Sequence, residues 1–196
     1  MTTDARLAGM RKRMLVAGAA AVVFAAAGAG CSDDDETSAG SAADTTDLAT
    51  ADLALSWQDA VTLAQDSFDG ELASIELDEG HEGLVYTIEL VSADEEYETV
   101  IGADDDERVI AEETERIDDD DRAEKAAETV AVDDVAELDE AMRTALAEYD
   151  GQVVEWKLEG TSRGPQYQFD IRADGDTEDV EVSVDAISGD LIGRHD

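Results

Sequence analysis

The chain has 196 residues, of which 52 are Asp or Glu against 13 Lys or Arg, giving a formal charge of -39 at pH 7, with 43% apolar residues and a single Cys. A charge of that sign repels phosphate, so a nucleic-acid partner is excluded, because such binding needs a Lys/Arg surface that releases backbone counterions. One cysteine excludes an internal disulfide, which leaves an acidic chain with room for one medium domain or two small ones.

Residues 1–30 read as a secretory leader, with Arg6, Arg11, Lys12 and Arg13 as its positive end and residues 14–27 as an uncharged apolar run. Gly28-Ala29-Gly30 then precede Cys31, and an acidic stretch follows at once. Small residues before a lone cysteine resemble a bacterial lipobox, although Gly28 stands where an aliphatic residue is usual. Cys31 is therefore the expected lipidation site and the new N-terminus. The alternatives are an uncleaved membrane helix, for which the 17 residues 14–30 barely suffice, and a soluble secreted form. The expected location is the cell membrane, lipid-anchored on the extracellular face, with the basic end inside. Beyond residue 31 there are 9 Lys plus Arg and 51 Asp plus Glu, a charge of about -42. Asn is absent and Lys occurs three times against ten Arg, a bias expected of a GC-rich genome such as an actinobacterial one.

Residues 31–54 are mostly Ser, Thr, Ala, Gly and Asp and cannot bury enough surface to offset their ordering entropy, so they are expected to form a tether. Its root-mean-square reach is roughly 25 to 30 Å. A second acidic interval, residues 113–133, is expected to link a body at 55–112 to another at 134–196, with a short helix near 121–129.

The two bodies are related by an offset of 81 residues. Residues 58–104 align without a gap on 139–185, with Ala60/Ala141, Ala64/Ala145, Asp69/Asp150, Gly70/Gly151, Leu77/Leu158, Gly83/Gly164, Tyr86/Tyr167 and Asp104/Asp185 identical. The hydrophobic period also changes at the same places in both copies. Each opens with a helical stripe: Trp57, Ala60, Val61, Ala64 and Phe68 behind a capping box of Ser56 and Asp59, then Leu138, Ala141, Met142, Ala145, Leu146 and Tyr149 behind Asp134 and Glu137. Gly70 and Gly151 are expected to close those helices in the left-handed conformation. Three strands of period two follow, with inward residues Ala73, Ile75 and Leu77, Tyr86, Ile88 and Leu90, and Thr99, Ile101 and Ala103 in the first copy. Their counterparts are Val154, Trp156 and Leu158, Tyr167, Phe169 and Ile171, and Val180, Val182 and Val184. Short fourth strands are expected at Val109-Ile110 and Leu191-Ile192. The fold class is α+β, two repeats each with one helix packed on a small antiparallel sheet of three to four strands.

A helix with a spaced Ala pair, a break, a strand, a second strand containing Tyr, and a hydrophobic strand ending in Asp before a turn and an apolar pair resembles the PepSY family. Copy two carries this pattern through residues 140–192, and copy one has Tyr86 and Asp104 but Asp105, Asp106, Glu107 and Arg108 where a turn glycine is usual. The resemblance covers about 120 residues. It implies a non-enzymatic α+β module of the cell envelope, an extracytoplasmic binding or regulatory role with a peptidase as one candidate partner, and no catalytic residues or cofactor. Tyr86, Tyr167, Asp104 and Asp185 match family positions that read as fold determinants.

Nucleophilic catalysis needs a base beside an activated Ser or Cys, yet His81 sits in a Gly-rich turn, His195 is penultimate and Cys31 belongs to the anchor. Trp57 and Trp156 read as core. The acidic runs at 104–106, 118–121 and 174–176 would bind divalent cations weakly, but none has EF-hand spacing and no metal site is assigned. A cation-responsive or passive acidic envelope component is the alternative function. If a partner protein docks on the sheet face away from the helix, the donors available in copy two are Lys157, Gln168 and Arg172.

Overall fold

The structure, a computed structural model, describes residues 46–81, 83–104 and 108–195. The leader and Cys31 lie outside the described residues.

The first helix, α1 (Trp57–Ser67), starts where Ser56 Oγ accepts the Asp59 N–H at 3.2 Å and donates to the Asp59 carboxylate at 2.6 Å. Its stripe of Trp57, Ala60, Val61 and Ala64 is buried as the periodicity requires. Strands β1 (Glu71–Gly80), β2 (Gly83–Val91), β3 (Glu95–Gly102) and β4 (Val109–Arg116) follow as an antiparallel meander. After a short helix α2 (Arg122–Lys125) and a 3-10 turn (Val132–Asp134), helix α3 (Leu138–Glu148) leads into β5 (Gln152–Glu159), β6 (Gln166–Arg172), β7 (Val180–Asp185) and β8 (Leu191–His195).

The expected mixed α and antiparallel β class is present, but the strands form one sheet of eight, in the order β4-β3-β2-β1-β5-β6-β7-β8. The join is an antiparallel pairing of β1 with β5, in which Ile75 faces Leu158, Glu76 faces Lys157 and Leu77 faces Trp156. Glu76 and Lys157 are equivalent under the 81-residue offset, so they mark the local two-fold of the seam. They carry opposite charges, and Lys157 Nζ lies 3.6 Å from Glu76 and 3.8 Å from Glu159. Both helices cover the same face, α1 over β1 and β2 and α3 over β6 and β7. The core beneath them is continuous across the seam, where Tyr86 of β2 meets Trp156 of β5 edge to face at 6.3 Å. Both tryptophans are buried in it, Trp156 at 2% and Trp57 at 8% exposure.

Several local expectations change. The expected cap pair Asp134 and Glu137 is not used: Asp134 ends the 3-10 turn, and Glu137 precedes α3 without a side-chain cap. Ala136 N–H is instead tied to Ala186 O at 2.7 Å, which sets the entry direction through the backbone. Gly70 and Gly151 are not left-handed; the helices end at extended Phe68 and Tyr149, whose N–H groups reach Ala64 O and Ala145 O. Glycine is needed at 151 by close approach, since a Cβ there would lie 2.4 Å from Arg172 O, and at 70 it would lie 3.1 Å from Val91 O. Register shifts between Leu72 and Ser74 and between Val153 and Glu155 also move the inward phase at both strand starts. Leu72 and Val153 point into the main core in place of Ala73 and Val154, and Ala73 joins Val91 and Ile117 in a small cluster of its own. These are bulges, which a strict two-residue period cannot show.

The segments expected as tether and linker are partly seated on the body. Leu48, within the expected tether 31–54, is buried, and its N–H donates to Val153 O at 2.8 Å while Asp47 Oδ1 accepts from Val153 N–H at 3.2 Å. In the expected linker 113–133, residues 113–116 belong to β4, Ile117 is buried, and Val130 N–H donates to Leu72 O at 2.7 Å. Leu72 and Val153 are equivalent under the offset. Each copy's pre-helix arm thus bonds to the first strand of the other copy, a reciprocal clasp at the seam. The geometry shared by the two copies extends to Tyr86, which donates to Leu55 O at 3.0 Å, and Tyr167, which donates to Ala136 O at 2.9 Å.

Lys157→Glu will place a third carboxylate beside Glu76 and Glu159 and lower stability by about 1 kcal/mol, a few degrees in Tm. The exchange Glu76→Lys with Lys157→Glu should recover most of that loss in thermal unfolding. An exchange variant no more stable than Lys157→Glu alone would contradict the pairing.

Candidate functional site: an acidic open sheet face

The face of the sheet opposite α1 and α3 carries the outward residues of every strand, and strand register decides which of them meet. At the seam, Glu155 of β5 faces Asp170 of β6, with Glu76 and Asp78 of β1 on its other side. Burial, reinforced by Glu76, Asp170 and Asp78 and only partly countered by Lys157, pushes the Glu155 carboxyl up to about 7. Asp170 is raised by burial and then by Glu181, Asp179 and Glu76. Asp78 is raised by burial and then by Glu76, against its own backbone hydrogen bond, and its Oδ1 is buried without a hydrogen-bond partner.

A second acidic group lies toward the β4 edge. Glu98 of β3 faces Glu89 of β2 on one side and Glu113 of β4 on the other, with Glu96 opposite Glu115 in the next layer. Like charges directly opposite one another repel. Glu98 is accordingly raised by burial and then by Glu89, Glu113, Glu96 and Glu115. Lys125 from α2 reaches onto this group, 2.8 Å from Glu89 and 2.7 Å from Glu96. Burial disfavours its charge, but those two hydrogen bonds outweigh burial and raise its pKa.

The three donors singled out in the sequence are not one patch. Lys157 and Gln168 are direct cross-strand neighbours near the seam. Arg172 stands at the far end of β6 opposite Gln152, where its guanidinium makes a two-point contact with Asp179 at 2.7 and 2.9 Å. Lys157 is itself flanked by Glu76 and Glu159. The face as a whole presents carboxylates with a few internally paired cations. Sequence reasoning missed the Glu155, Asp170, Glu76 and Asp78 group because it depends on the β1 to β5 pairing, which no local pattern encodes. Lys125 was visible only as part of an acidic interval.

The remaining candidates have structural contacts. Asp104 Oδ2 accepts from Leu84 N–H at 2.9 Å, and Asp185 Oδ1 accepts from Ile187 and Ser188 N–H at 3.0 and 2.8 Å, which lowers its pKa. Asp119 pairs with Arg122 at 2.6 Å. Among the described residues no group of three or more His, Cys, Asp or Glu is placed to hold a metal ion, and no helix is long and apolar enough to cross a membrane. His81 and His195 are both exposed.

A family model described as peptidase propeptide and YPEB domain matches residues 54–105 and 137–195. Among solved structures, a candidate lipoprotein of Clostridium difficile 630 is similar, with a TM-score of 0.68 and 26% identity over 76% of this chain and 97% of that one. Comparison with curated proteins gives no match.

The raised Glu155 pKa has a stability consequence. The folded state holds a proton that the unfolded chain releases near its ordinary value, so this stabilisation is complete at low pH and is lost as pH rises through about 7. Glu155→Gln should therefore stabilise the protein at pH 8 by about 1 kcal/mol after allowance for solvent screening, and change stability little at pH 5. Parallel Tm profiles of wild type and variant across that range would contradict the assignment.

Proposed function

The chain belongs to the PepSY family of peptidase propeptide and YPEB domains, present in tandem, and from that premise we propose a non-enzymatic, membrane-anchored extracytoplasmic protein that binds and regulates another envelope protein. The observation that carries this reading is the family match at two regions, supported by the similarity to a candidate lipoprotein over nearly all of that chain. In this reading each of the two repeats supplies one helix and four strands to the shared sheet. Lipidation at Cys31 holds the body at the outer membrane surface, and the intervening residues set its reach. A peptidase is the partner class the family description suggests.

Binding falls to the open sheet face, with Lys157 and Gln168 near its centre and Arg172 at its margin. The tether raises the effective concentration of body and partner at the membrane. Because Lys157 also stabilises the seam, charge reversal there confounds binding with folding, and neutral truncation is the cleaner probe.

Crosslinking in cells followed by mass spectrometry should recover one dominant envelope protein. Gln168→Ala with Lys157→Gln should weaken that recovery several-fold while Tm stays within a few degrees, and Cys31→Ser should move the protein out of the membrane fraction. Recovery of abundant bystanders alone, unchanged by the variants, would contradict the binding reading; membrane retention of Cys31→Ser would contradict the lipid anchor.

A further inference from the structure

We propose that the outer edge of β4 is a docking site for an extended basic segment of a partner protein, which adds to the sheet as a ninth strand. The inference rests on the partner-binding reading above and adds to its open-face contact a separate one, at the sheet edge, with a chemistry of its own.

β4 is one of the two edge strands, and all eight of its residues are exposed. Its ladder to β3 fixes which backbone groups are free. Ile117 N–H donates to Asp94 O at 2.9 Å, and Glu98 faces Glu113 in the same register. The alternation of an antiparallel ladder then turns the backbone of Ala111, Glu113 and Glu115 toward β3, and that of Glu112, Thr114 and Arg116 outward. A row of outward N–H and C=O groups is a template for another strand.

Side chains specify what that strand must carry. Glu113 and Glu115 lie on the open face, where they already crowd Glu98 and Glu96. A strand laid along β4 would place its own open-face residues opposite Glu113 and Glu115, and Lys or Arg there would neutralise a group now held together against mutual repulsion. Lys125 already does this on the inner side, bridging Glu89 and Glu96 from α2. At the start of the strand, Val109 and Ile110 are 41% and 46% exposed and offer apolar contact to the end of the incoming segment. The other edge lacks this combination: β8 has five residues and ends in Arg194 and His195.

The test uses the full chain and an eight-residue peptide of alternating valine and lysine, with a valine and glutamate peptide as control. A strongly acidic protein attracts any polycation, so the deciding measurements are where amide exchange slows and what a charge-neutral variant does. Thr114→Pro removes an outward N–H that β3 does not use, which an edge strand tolerates. The expected result is slowed exchange at Glu112, Thr114 and Arg116 with the lysine peptide only, and at least tenfold weaker binding to Thr114→Pro. If that variant unfolds, Glu113→Lys with Glu115→Lys replaces it, with the same tenfold loss expected. Undiminished binding to the variants, or protection spread over other strands, overturns the edge site while leaving the partner reading intact. Failure of the cellular crosslinking to find a partner is the separate result that removes that reading.

Discussion

The antiparallel pairing of β1 with β5 is the interaction on which the rest of the molecule depends. Without it the chain would contain two four-stranded sheets, each too small to bury much surface and each exposing one further edge, β1 or β5. With it, Ile75, Leu77, Trp156 and Leu158 meet across the seam, and all but a small satellite of the buried apolar residues belong to a single core. The arms then reinforce the join from outside, Leu48 on Val153 and Val130 on Leu72. The seam behaves as the interface of a two-fold dimer whose halves are covalently linked. Gene-level linkage permits what an isologous interface forbids: different residues on the axis, here Glu76 against Lys157.

The same pairing creates the electrostatic character of the open face. It brings β1 carboxylates beside those of β5 and β6, and burial between strands makes their repulsion felt at Glu155 and Asp170. An acidic surface that were only a solubility device would keep its charges apart and hydrated. Here carboxylates are stacked opposite one another in two groups, and each group has one lysine seated in it, Lys157 at the seam and Lys125 toward β4.

Much of this was legible in the sequence. The 81-residue offset, the helical stripes and the inward residues of β2, β3, β6 and β7 follow from periodicity, because each lies on an element with one buried and one wet face. What periodicity could not carry was of two kinds. The bulges at Leu72 and Val153 shift the phase by one residue, and nothing in composition distinguishes Ala73 from Leu72 as the inward side chain. The seam, the arms and the acidic group around Glu155 depend on contacts between the two repeats, which are far apart in sequence, and on which edges of two similar sheets meet. Low hydrophobicity also made residues 46–54 and 117–131 look like free chain, although a few apolar residues, Leu48, Ile117 and Val130, suffice to seat them. At the candidate site, Lys157 and Gln168 proved neighbours because they share a strand pair, while Arg172 proved remote because distance along β6 separates it from them.

The central claim is that the tandem repeats form one cooperative body through the β1 to β5 seam. Native-state amide hydrogen exchange as a function of denaturant tests it most directly. The account predicts that the most protected amides of β1 and β2 and those of β5 and β6 converge on one unfolding free energy and are lost together. Two separate free energies, with one repeat exchanging while the other remains protected, would contradict it.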